Sequence, residues 1–67
     1  MNLLDALIKK LEGEIAVAQA NVEVYLNQSV GIGEHPDVLG AIQEQLDIIA
    51  HEEERLEVLD KHFSDHP

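Results

Sequence analysis

Between two long stretches with helical apolar spacing lies Val30-Gly31-Ile32-Gly33-Glu34-His35-Pro36-Asp37, the one segment that carries helix-stopping and helix-starting signals back to back. Gly31 suits the left-handed position just past a helix C-terminus, and Gly33 allows a second unusual backbone turn. Pro36 suits a first helical position, where its missing N–H has no partner to lose. His35 is pushed out of helical geometry by the proline that follows it, and Asp37 sets a carboxylate on the positive end of the next helix. Ile32, like Val30, is an apolar loop residue of the kind that packs back on the last helical turn. Gly31, Ile32, Gly33 and Pro36 are therefore the turn residues, and two helices must meet there.

Helix one is expected over about 3–28, with Asn2 as its N-cap and Asp5 in its first turn. Leu4, Ile8, Leu11, Ile15, Ala18, Val22 and Tyr25 follow one another at alternating intervals of four and three, the spacing of a coiled-coil seam. A turn over about 29–35 leads to helix two, over about 36–63. There Ile42, Ile49, Leu56 and Phe63 recur every seven residues, with Val38, Leu39, Leu46 and Leu59 filling in. The position after Ile49 falls on Glu52 or Glu53, which reads as a gap in the seam. With the turn centred near Ile32, facing residues have numbers that sum to about 65. That register sets Tyr25 against Gly40, Val22 against Ile42, Ala18 against Leu46, Ile15 against Ile49 and Ile8 against Leu56. It also brings Lys9 and Lys10 near Glu54 and Glu57, Arg55 near Glu12, and Asp5 near Lys61.

The chain has 67 residues and no cysteine, so it is expected to form one domain with a marginal core and no disulfide to staple it. Leu7, Val17, Val24, Ile48 and Val58 lie beside the seams and widen each apolar face beyond what one helix contact needs. They are the expected self-association residues. The expected fold is all-α: an antiparallel, coiled-coil-like two-helix hairpin that dimerises into a four-helix bundle.

Net charge is −10, and residues 11–54 hold ten acidic side chains with no lysine or arginine. Phosphate backbones and anionic lipids are bound through lysine and arginine, so direct nucleic-acid or membrane binding is not expected. The charge block also favours a dimer whose two turns lie at opposite ends, where they do not concentrate like charge. The N-terminal apolar residues precede Lys9 and Lys10, the wrong order for a secretory signal, and no apolar run approaches the roughly 20 residues of a membrane span. A cytoplasmic location is expected.

Chemistry finds little purchase. His51 with Glu52, Glu53 and Glu54 is the densest cluster of ligand-type residues, yet the Glu-x-x-His arrangement of bundle metal sites is missing, and the pair His62 and His66 falls at a fraying end. Ser29 and Ser64 sit at helix ends, where serine bonds backbone, and Gly31-Ile32-Gly33 follows a helix where phosphate loops follow a strand. No catalytic, metal-binding or cofactor-binding residue is assigned, and no cofactor is expected.

The run from Ser29 to Val38, followed by Ile49-Ala50-His51-Glu52-Glu53 and Leu56-Glu57-Val58-Leu59, resembles small uncharacterised helical proteins encoded by marine tailed bacteriophages. The likeness covers about half the chain. It implies an accessory protein acting in the host cytoplasm, with no functional residues to carry over. From the residues themselves the expected role is a small acidic structural or protein–protein interaction module, a homo-oligomer with a protein partner and without catalytic activity. The alternative is an acidic mimic of DNA that inhibits a basic nucleic-acid-binding protein.

Overall fold

The computed structural model describes residues 1–28 and 37–63; the turn residues Gly31, Ile32, Gly33 and Pro36 lie outside them. Two helices of equal length, α1 (Leu3–Gln28) and α2 (Val38–Phe63), pack side by side along their length. Each has 26 residues, about 39 Å at the helical rise.

Both helices start on a side-chain cap. Asn2 Oδ1 accepts from the backbone N–H of Asp5 at 2.8 Å, while the Asp5 carboxylate accepts from the N–H of Asn2 at 3.4 Å, a reciprocal capping box. Asp37 does the same work for α2, its Oδ1 accepting from the Gly40 N–H at 3.1 Å. Among the described residues α2 begins at Val38, directly after this cap. Gly40 also has a local reason: a Cβ there would run into the capping Asp37 carboxylate.

The residues of α1 that turn from solvent are Leu4, Ile8, Leu11, Glu14, Ile15, Ala18, Val22 and Tyr25, which is the expected seam plus one glutamate. On α2 the seam differs from expectation. Val38, Ile42, Gln45, Ile49, Glu52, Leu56 and Leu59 are half-buried or buried, at unbroken intervals of four and three. Leu39, Leu46 and Phe63 are instead 78%, 51% and 48% exposed. A heptad seam is defined by angle, so the polar residues at the correct angle enter it and Leu39 and Leu46, about 100° away, do not; Phe63 keeps the seam angle but is the last residue of α2. Glu52 is no gap: it is 4% exposed and occupies the seam.

The register follows from the polar contacts across the hairpin. Asn21 Nδ2 donates to Gln45 Oε1 at 3.0 Å, and Glu14 meets Glu52, so facing residue numbers sum to 66. Ala18 consequently does not face Leu46, which lies on the other flank beside Gln19, Val22 and Glu23. The cross-helix ion pairs expected for Lys10 and Arg55 are replaced by pairs within each helix: Lys10 with Glu14 at 2.5 Å, and Arg55 with Glu52 at 2.7 Å.

Extents of 54 × 19 × 13 Å make the hairpin a plank one helix thick. Among the described residues only Leu11 and Ala18 are fully buried apolar side chains. One layer cannot enclose a core, because each helix keeps most of its circumference in solvent.

Two thermal-unfolding outcomes follow. Asp37→Ala removes the α2 cap and should cost about 1 kcal/mol. A Cβ on Gly13 would meet nothing within 4 Å, so Gly13→Ala should raise stability by about 0.5–1 kcal/mol through helix propensity alone.

Candidate interaction face

The side-by-side packing leaves a long groove on one flank of the seam. Leu7 and Val58 line its terminal half over a floor of Leu11 and Leu59; Val17 and Ile48 line the half nearer the turn over Ala18. Lys10, His51 and Arg55 border both halves, so the groove is continuous. Four of the five expected self-association residues are therefore gathered on one face. Val24, one heptad beyond Val17, extends the same stripe. All five are between 40% and 62% exposed.

The groove's centre is polar, which sequence patterning did not reveal. Glu52 lies in the seam with its Oε1 held by Arg55 Nη1 and its Oε2 enclosed without a hydrogen-bond donor. Opposite stands Glu14, itself held by Lys10. Hydrogen bonding to Glu14 and, next, burial push the Glu52 carboxyl above the ordinary glutamate value of 4.5. The same contact with Glu52, followed by the Lys10 hydrogen bond, holds Glu14 below that value, and the Glu14 hydrogen bond raises Lys10. One sequence signal could have found this layer: extending the α2 heptad from Ile42 and Ile49 regardless of polarity lands on Gln45 and Glu52.

The acidic cluster assembles no metal site. Its members fan around α2, with Glu52 inward and Glu53 and Glu54 exposed, and among the described residues no group of three or more His, Asp or Glu converges to hold an ion. His62 is exposed near the end of α2, and its sequence partner His66 lies outside the described residues. The grooves are open strips rather than enclosed cavities, and the paired carboxyls hold each other instead of a substrate. No helix among the described residues is long and apolar enough to cross a membrane.

The dyad has a pH signature. Glu52, with a raised folded value, contributes stability that is fully present below its unfolded value and is lost as pH rises through the raised one. Glu14, with a lowered folded value, contributes stability that is present above its unfolded value and lost as pH falls through the lowered one. Their joint contribution therefore peaks near 4.5 and declines toward neutrality. Glu52→Gln supplies the donor permanently, so unfolding measured across pH 4–8 should show a flatter profile than the parent, whereas an unchanged slope would place the titration elsewhere. Glu52→Leu, which replaces a buried carboxyl with apolar packing, should raise the melting temperature by roughly 5 °C.

Compared with protein-family models, curated proteins and solved structures, the chain matches none of the three.

Proposed function

We propose that this chain is a small acidic docking module that acts without catalysis: two hairpins pair groove to groove as a four-helix bundle, which serves as a structural or protein-interaction element. The observation that carries this is the one-layer plank with Leu7, Val17, Ile48 and Val58, all exposed, lining one continuous groove. A second hairpin covers Leu7, Val17, Val24, Ile48 and Val58, and turns the exposed flank of the seam into the interior of a two-layer domain. Oligomerisation is the staple that a cysteine-free chain of 67 residues has at its disposal. The carboxylates of Asp47, Glu53 and Glu57 are exposed, line neither half of the groove and keep the assembly dispersed. The phage-like turn motif supports an accessory role in an infected bacterial cytoplasm.

Those outer carboxylates also favour the second reading, an acidic decoy for a basic nucleic-acid-binding protein. Pull-downs at rising salt separate the two. Nucleic-acid-binding proteins that are retained at low salt and released at high salt support the decoy; a partner without basic character supports the module.

Sedimentation equilibrium tests the pairing. The parent should be a dimer at micromolar concentration. Ile48→Asp, which sets a charge in the middle of the proposed contact, should weaken dimerisation by at least about tenfold and lower helicity in parallel. A folded parent monomer at that concentration, or an Ile48→Asp variant that dimerises as before, would sink the reading.

A further inference from the structure

The seam inside the hairpin contains two polar layers of different chemistry. On the turn side, Asn21 Nδ2 donates to Gln45 Oε1, a carboxamide pair that does not titrate. One heptad farther from the turn on each helix, Glu14 and Glu52 set two carboxyls at one level, and the Glu52 side chain is only 5% exposed. The charged groups that face Glu52 are Lys10 and Glu14 from α1 and Arg55 from α2, while His51 and Glu54 border the same groove from exposed positions. Lys10 holds Glu14 and Arg55 holds Glu52 Oε1, and neither cation reaches the enclosed Glu52 Oε2.

With both carboxyls ionised, the layer contains two facing anions, one of them almost out of water and with an oxygen to which nothing donates. Like charge and burial both work against that state, and one proton in the layer removes the repulsion. The raised carboxyl of Glu52 agrees with this. The two sides of the layer are held differently. Toward the turn the helices are joined covalently through residues 29–36, which keeps their contacts at the low entropic cost of a short loop. On the other side the seam is held by the side chains of Leu4, Ile8, Leu11, Leu56 and Leu59.

We infer that the Glu14–Glu52 layer is a pH-sensitive latch on the half of the hairpin away from the turn, which holds residues 3–11 against residues 55–63 while the layer carries a proton and releases them when both carboxyls are ionised. The turn-side half, clasped by Asn21 and Gln45, stays closed. Release comes as pH rises above the ordinary glutamate value of 4.5 and through the raised value of Glu52, and it uncovers Leu11 and its apolar neighbours in the seam. The latch lies inside one hairpin and does not depend on the self-association proposed above.

Distances between two spin labels on one chain test the latch, with labelled chain diluted in unlabelled chain so that only intramolecular pairs are read. One pair is Leu3→Cys with His62→Cys, exposed positions at the end of the helices away from the turn; the second substitution also takes a histidine out of the titration there. The reference pair is Gln19→Cys with Leu46→Cys, exposed neighbours across the turn-side half. Across pH 4–8 the first pair should spread from under about 20 Å to beyond about 25 Å, while the reference pair stays close. Glu52→Gln and Glu14→Gln each place in the layer a carboxamide that donates without titrating, and each should keep the first pair close throughout. A first pair that does not move, two pairs that spread together, or a first pair that spreads in either variant as it does in the parent overturns the latch.

Discussion

Two helices laid side by side can bury only the strip along which they touch, and every other feature of this protein depends on that constraint. The strip here is one heptad seam wide. It suffices to enclose Leu11 and Ala18 and to half-cover the residues around them, and it leaves Leu7, Val17, Val24, Ile48 and Val58 in solvent. A plank 13 Å thick has no inside in the usual sense. Leu7, Val17, Ile48 and Val58, which the seam does not use, line one flank of it, while Leu46 is exposed on the other.

The seam is also unusual in what it admits. Two of its α2 positions are polar, and both meet polar residues of α1: Gln45 with Asn21, and Glu52 with Glu14. An apolar seam would be more stable, but leucine and isoleucine slide past one another at little cost, so a seam built of them alone specifies its register weakly. A carboxyl that must find its single partner does not slide. The Glu52 carboxyl, enclosed and holding Arg55 on one oxygen, is satisfied only when Glu14 is at its own level. The two polar layers therefore hold the hairpin at a register one residue from that expected of a turn centred on Ile32.

Charge is distributed with the same economy. Lys10 and Arg55 neutralise the two carboxyls of the inner layer, so the groove carries little net charge at its centre although the chain as a whole carries −10. Much of the excess acid is away from the groove, with Glu53 and Glu57 exposed along α2, while Glu54 borders the groove. A weakly charged apolar face and a strongly charged outer surface are compatible with close approach of one face and dispersal of the other.

Much of this was legible in the residues alone. Periodicity over a long, uninterrupted segment determines a helix, and Asn2 and Asp37 are cap residues by local chemistry that needs no tertiary contact. The apolar members of the α1 seam from Leu4 to Tyr25 were all read, because there apolar character and angular position coincide, and Glu14 alone was missed. On α2 they part company. Leu39 and Leu46 are apolar at the wrong angle, and Gln45 and Glu52 are polar at the right one, so counting apolar residues placed the core on the wrong side of the helix at those levels. Leu7, Val17, Val24, Ile48 and Val58 were legible as surplus hydrophobicity, but the gathering of Leu7, Val17, Ile48 and Val58 on one groove depends on which flank each helix turns outward. By itself the sequence determined two capped helices, one surplus apolar stripe and an acidic surface, since these follow from short-range geometry and composition. Only the tertiary structure decided that Glu52 is buried against Glu14, because that pairing is set by the rotation and register of one helix against the other, which no local pattern encodes.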